Sequence, residues 1–112
     1  MKYRRGDCVY IIPRTRMNPE PETGYPAILL TDGDIYANRR VNCVLVTRFP
    51  RDLCSSDVQV DVTGIPSVAR CAVIQSMGID TLGAYIGRCT EEEMNDIDRA
   101  VARSLGLVGY GY

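Results

Sequence analysis

Histidine is absent from this 112-residue chain. That excludes Ser-His and Cys-His nucleophilic pairs, and it excludes ribonuclease chemistry run by two histidines. Any enzyme built from this chain must work with Arg, Thr, Tyr or carboxylates. Long apolar runs are missing too. No stretch approaches the roughly 20 residues that span a bilayer, and the charged start MKYRR leads into no signal-type hydrophobic segment. The expectation is a cytoplasmic protein with no membrane association. Internal repeats and low-complexity tracts are lacking. The length therefore suits one small domain, 1–112, with an ordered core over about 3–107 and a Gly/Tyr-rich tail, 108–112, that frays. Neither sign of charge is in excess. Thirteen Lys and Arg stand against 14 Asp and Glu, a net charge of −1, so any RNA binding must come from a local basic surface. The five cysteines, Cys8, Cys43, Cys54, Cys71 and Cys89, are an odd number without CxxC spacing, and no histidine completes a mixed zinc site. They read as free, mostly buried thiols, and no metal or other cofactor is expected.

What is present is a series of short β-forming runs. Cys8 to Ile12 reads as a first strand stopped by Pro13. Residues 13–26 carry Pro13, Pro19, Pro21, Pro26 and Gly24, which predicts an irregular projecting loop. Ala27 to Leu30 fits a buried strand. Asp32-Gly-Asp34 supplies turn and cap chemistry for a short helix through Ile35, Tyr36 and Ala37, with Arg39 and Arg40 in its solvated last turn. Cys43 to Thr47 is continuously apolar up to its threonine. Val58, Val60 and Val62 alternate with Gln59 and Asp61, as a half-exposed strand requires. Gly64-Ile-Pro66 is a turn, Ala69 to Gln75 a further strand, and Gly78 to Asp80 a short extended return in which Asp80 serves a turn or cap.

The last third, Leu82 to Leu107, reads as one amphipathic helix with a start signal inside it. Thr90 and Glu93 form a capping box: the hydroxyl accepts from the backbone N–H of Glu93, and the carboxylate reaches back to that of Thr90. Glu91, Glu92 and Glu93 suit the positive end of the helix dipole. Met94, Ile97, Ala100, Val101 and Leu105 recur at three- and four-residue steps and form an apolar face, with Glu92, Asp96, Arg99 and Arg103 opposite. Many short strands and one terminal helix predict a β-rich α+β domain, a small curled sheet or partly open barrel with the helix packed on it.

Several runs, taken in order, resemble the MazF/PemK toxin family. Ile-Gly ahead of a Thr-Glu-Glu-Glu cap, followed by an acid-rich helix closing on Ser-Leu-Gly-Leu, is similar to that family's C-terminal end. Tyr3-Arg-Arg-Gly-Asp7 with Val9-Tyr10 is similar to its opening strand, and Pro26-Ala-Ile-Leu-Leu30 to its second. Asp32 through Asn38 resembles its Asn-Asp helix, Cys43 to Thr47 its strand ending in Thr or Ser, and Gln75 with Ile79-Asp80 its Gln-Ile-Arg-Thr-Ile-Asp segment. The resemblance implies an SH3-like, partly open barrel with a C-terminal helix. It also implies a homodimer and a sequence-selective, metal-independent endoribonuclease of a toxin-antitoxin pair, acting on single-stranded RNA and neutralised by an extended acidic antitoxin peptide.

The site residues implied are Thr47, which contacts the scissile phosphate; Glu20, as base or loop anchor; and Arg48, as a source of positive charge. Phe49 and Arg51 form a basic and aromatic rim for RNA, and Arg14 and Arg16 border the same groove. The family loop Glu-Gln-x-Gly-x-Arg-Pro reads Glu20-Pro-Glu-Thr-Gly-Tyr25-Pro26 here, so Tyr25 stands where the family has its phosphate-neutralising arginine. A phenol is uncharged at pH 7 and makes no bidentate phosphate fork. Tyr25 can still stack on a base or donate to phosphate. The segment Gln75 to Asp80 also lacks the family's Arg-Thr. These two departures motivate the alternative reading, a non-catalytic member of the fold that binds RNA, an antitoxin or a protein target, as the fold-sibling CcdB toxins poison DNA gyrase.

Overall fold

The apolar runs at Cys8, Ala27 and Cys43 carry no in–out alternation because these stretches of strand are buried on both faces. The computed structural model describes residues 3–12, 24–32, 39–48 and 53–107. It contains β1 (Asp7–Ile11), β2 (Tyr25–Leu29), β3 (Arg40–Arg48), β4 (Asp57–Val60), β5 (Ser67–Gly78), β6 (Leu82–Arg88) and a C-terminal helix, α1 (Glu91–Ser104). The six strands form one open antiparallel sheet in the order β4-β5-β3-β2-β1-β6. The β-rich α+β class predicted from the sequence is the one observed. No ladder joins the two edge strands among the described residues.

One face of the sheet packs Cys8, Ile28, Val44, Val46, Val60, Ala69 and Cys71 against Met94, Ile97 and Ala100 of α1. The far face gathers Val9, Ile11, Ala27, Leu29, Val41, Cys43 and Leu82, with Tyr3, Leu45, Met77 and Ile79 packed on it. Only residues 79–81 join β5, second in the strand order, to β6 at the far edge, so the sheet must curl for so short a link to reach. On the far face the link from β5 to β6 crosses the sheet: the amide of Ile79 donates to the Arg39 carbonyl, and that of Ile12 to Thr81, both at 2.8 Å. On the helix face, Gly87 of β6 lies so close to Val62 that an added Cβ would sit 3.0 Å from the Val62 carbonyl oxygen. A Cβ at position 87 would be tight there, and Val62 would have to give by a few tenths of an ångström.

Several sequence expectations are corrected. Leu82 to Arg88 is a strand, and α1 begins only at the cap. Gly83 and Gly87 weaken any helix there, Tyr85 and Ile86 are β-formers, and pairing to β1 settles the matter. Ile79–Thr81 is a 3₁₀ turn rather than an extended return, with the Thr81 hydroxyl donating to Gly78 at 2.7 Å. Tyr25 and Pro26 belong to β2. Pro26 pairs with Tyr10 beyond the end of the β2–β3 ladder, so its missing N–H costs that ladder nothing. Arg40 opens β3 and holds Ser76 of β5 through its side chain, whereas Arg39 takes a left-handed conformation (φ 61°). The short helix through Ile35 to Ala37 and the tail 108–112 lie outside the described residues.

The helix starts as its sequence requires. Both capping-box hydrogen bonds are present, Glu93 N–H to the Thr90 hydroxyl at 3.0 Å and Thr90 N–H to the Glu93 carboxylate at 2.8 Å. The second Glu93 oxygen accepts from the Asp61 amide at 2.9 Å, so the cap also fastens α1 to the chain leaving β4. Met94, Ile97, Ala100 and Ala102 are buried, but Leu105 is the C-cap and is 59% exposed, outside the apolar face assigned to it. Arg5 donates to the Leu30 carbonyl and pairs with Asp98, tying the N-terminal segment to α1. Buried Asp7 receives the Arg88 guanidinium and the Arg4 amide, each at 2.8 Å.

All five cysteines are free, and four are buried. Burial pushes the thiols of Cys8, Cys71 and Cys89 up to about 12 and that of Cys43 to about 11, since a thiolate loses its hydration inside the core. Thr90→Ala is expected to lower stability by about 1 kcal/mol, measured by urea denaturation, with the helix start as the affected element. A thiol reagent at pH 8 is expected to label Cys54 alone in the native protein and all five cysteines after unfolding. The folded chain keeps thiol protons that the unfolded chain, titrating near 9, releases. Stability therefore falls as pH rises from about 9 towards 12, which denaturation at a series of alkaline pH values checks.

Candidate functional site

The expected site residues that are described collect at one end of the sheet. Thr47 and Arg48 are the last two residues of β3, and Tyr25 is the first of β2. Cross-strand partners point to the same face. Tyr25 is paired with Ile11, and Thr47 continues the row Val41, Cys43, Leu45, so both lie on the far face, away from α1. The β2–β3 ladder pairs Ala27 with Leu45, and its register carried two residues further sets Tyr25 alongside Thr47. Arg48 is the cross-strand partner of Ser67 at the same sheet end.

All three side chains are exposed, Tyr25 at 63%. Among the described residues no hydrogen bond or ion pair engages them, so a phenol, an aliphatic hydroxyl and a guanidinium stand ready for an outside partner. Gly24 fixes the approach. A Cβ at that position would overlap the Ile11 carbonyl, so only glycine lets the chain come this close to β1 and deliver Tyr25 to the strand end. Of the more distant expected positions, Gln75 is half-buried and paired with Cys43, and exposed Asp80 lies on the 3₁₀ turn, where it is already engaged. Glu20, Arg14, Arg16, Phe49 and Arg51 lie outside the described residues.

This end has the chemistry for a phosphodiester. On the far face the Thr47 hydroxyl offers a donor to phosphate oxygens and the exposed Tyr25 ring a stacking face, while Arg48, next in the strand and so turned to the opposite face, adds a positive charge at the rim of the same sheet end. A cleft of about 440 Å³ beside the start of α1 also carries arginines, namely Arg4, Arg5 and Arg88. Asp32 and Glu91 line it as well, and Arg5 and Arg88 are held by Asp98 and Asp7. Its positive charge is therefore cancelled internally. Among the described residues no group of three or more Cys, Asp or Glu side chains is placed to hold a metal ion, and no helix is long and apolar enough to cross a membrane.

The sequence reading did not single out Tyr85. It is 57% exposed on β6, paired with Val9 and hence on the same far face as Tyr25. Its signal was a Tyr-Ile pair between two glycines, which the helix assignment hid.

No protein-family profile matches the chain, and no curated protein does. Solved structures do. The chain superimposes on an endoribonuclease in complex with its cognate antitoxin from Mycobacterial species, at TM-score 0.73 and 23% identity over 93% of this chain and 95% of that one. It matches the Mycobacterium tuberculosis toxin MazF-mt6 at TM-score 0.70 and 20% identity, covering 90% and 97% of the two chains. MazF from Deinococcus radiodurans gives TM-score 0.75 at 13% identity, covering 95% and 98%. The chain has the MazF-type toxin fold over almost its whole length.

Exposed residues that make no described contact contribute little to folding. Thr47→Ala, Arg48→Ala and Tyr25→Arg are each expected to change stability by no more than about 0.5 kcal/mol, measured by denaturation. Changes they cause in activity are then changes in chemistry.

Proposed function

We propose that this protein is a toxin-type endoribonuclease that cleaves single-stranded RNA at selected sequences without a metal ion. It acts as a homodimer and is neutralised by an extended acidic segment of a partner antitoxin. The observation that carries this reading is the meeting of Thr47, Arg48 and Tyr25 at one sheet end of a MazF-type fold. The Mycobacterial neighbour in complex with its cognate antitoxin supports the antitoxin partner.

In this reading the nucleophile belongs to the RNA. The 2′-hydroxyl attacks the adjacent phosphorus, a bond to the 5′-oxygen of the next nucleotide breaks, and the protein orients the phosphate and stabilises its added charge. The Thr47 hydroxyl donates to a non-bridging oxygen. Glu20 takes the 2′-hydroxyl proton or anchors its loop. Arg48, helped by Arg14 or Arg16, supplies positive charge, and Phe49 and Arg51 hold the flanking nucleotides. Tyr25 stacks on a base or donates a single hydrogen bond, but it adds no charge. A missing cationic contact of this kind is worth ~3 kcal/mol, so catalysis runs about 10²-fold below that of an otherwise equal site with arginine there. The second reading is a non-catalytic member of the fold that holds RNA, the antitoxin or a protein target such as gyrase. Tyr25 at the arginine position favours it.

The two readings separate in one experiment. Purified protein in excess is incubated with a long RNA in EDTA, beside Tyr25→Arg. The expected result is slow cleavage recurring at one short sequence, accelerated about 10²-fold in the variant. RNA that is bound yet stays intact with both proteins assigns the second reading in its RNA-binding form, and RNA neither bound nor cut overturns the endoribonuclease and leaves the second reading with the antitoxin or a protein target as its ligand.

A further inference from the structure

Tyr85 extends the candidate site across the sheet. On the far face, Tyr25 of β2, Ile11 of β1 and Leu82 of β6 form one cross-strand row, and Ala27, Val9 and Tyr85 form the next. Val9, Ile11, Ala27 and Leu82 are buried, whereas the two tyrosines at the flanks are 63% and 57% exposed. Two strand spacings separate β2 from β6, roughly 10 Å. Two exposed aromatic rings therefore flank an apolar strip that Ile79 and the neighbouring link cover, with Thr47 beyond the first.

The sequence around Tyr85 holds it there. The ladder between β1 and β6 shifts register on both sides of the Val9–Tyr85 pair. Such irregularities re-aim side chains and commonly sit near sites. Ile86 turns the opposite way, into the core beneath α1, and anchors the strand directly behind the ring. An exposed aromatic side chain on an otherwise anchored strand is a poor choice for solubility and a good one for stacking, because every base has a π-face.

We propose that Tyr85 is a second base-stacking position for the single-stranded RNA that enters at Thr47 and Tyr25, so that the bound strand passes over the covered strip between the two exposed rings. This rests on the RNA reading above. Tyr85 is a binding residue remote from the reacting phosphate, and its effect appears in affinity and in the length of RNA preferred.

The test uses fluorescence anisotropy with end-labelled 2′-fluoro oligonucleotides, which lack the attacking hydroxyl, in lengths of about 4 and about 10 nucleotides. Tyr85→Ala is expected to weaken binding of the longer oligonucleotide about tenfold, the loss of roughly one stacked base. The shorter one is expected to be unaffected, and Tyr85→Phe is expected to restore the longer one, since phenylalanine keeps the ring. Equal affinity of Tyr85→Ala and the unaltered protein for the long oligonucleotide overturns the inference. So does an affinity unchanged by Tyr85→Ala while sedimentation shows loss of self-association, which assigns the ring to contact between copies. Failure of the unaltered protein to bind either oligonucleotide overturns the RNA reading itself, a different outcome from failure of Tyr85 alone.

Discussion

Burial of β1, β2 and β3 on both faces is the constraint on which the rest of the structure depends. Each strand sends successive side chains to opposite sides, so Cys8 and Val9, Ile28 and Leu29, and Cys43 and Val44 fall into two separate apolar clusters. A flat sheet of this length has one helix and no way to cover both faces. Strong twist solves the problem: diagonal corners fold over opposite faces and bring the β5–β6 link onto one cluster and the β4 end towards β6 on the other. Gly87 lies close to Val62 in the second of these contacts, and the helix covers the face of the first cluster, fastened by Glu93 to its own cap and to Asp61.

The same twist makes the candidate site. It leaves the start of β2 and the end of β3 as an exposed rim where Tyr25, Thr47 and Arg48 face solvent without described partners. Several other arginines are committed to the fold. Arg5, Arg40, Arg70 and Arg88 each hold another segment of the chain, through Asp98, Ser76, Asp57 and Asp7. With a net charge of −1, overall charge gives no general attraction for a polyanion, and Arg48 adds a local positive charge at this rim. The chemistry is correspondingly modest: one hydroxyl, one guanidinium and an aromatic ring without the charge that an arginine at position 25 would bring.

Much of this architecture was legible in the sequence because its signals are local. A capping box, a three-four apolar rhythm from Met94 to Ala100, the apolar run from Cys43 and the alternating valines from Val58 depend on neighbours a few residues away. Thr47 was legible as the polar end of an apolar strand. The stretch from Leu82 to Arg88 was not, because its apolar residues suit a helix face as well as a strand and only pairing with β1 decides between them. Tyr85 was lost with that assignment. Arg40 was read as a solvated helix end because its partner, Ser76, is 36 residues away and invisible to any local rule.

The sequence alone determined the absence of histidine chemistry, the free thiols, the helix start and the neutral residue at position 25, since these are properties of composition or of short windows. Only the tertiary structure decided that Tyr25, Thr47 and Tyr85 share a face and that the arginines beside α1 are already paired. Those facts depend on strand register and on the twist that folds the corners over, and both are set by side-chain packing between residues far apart in the chain.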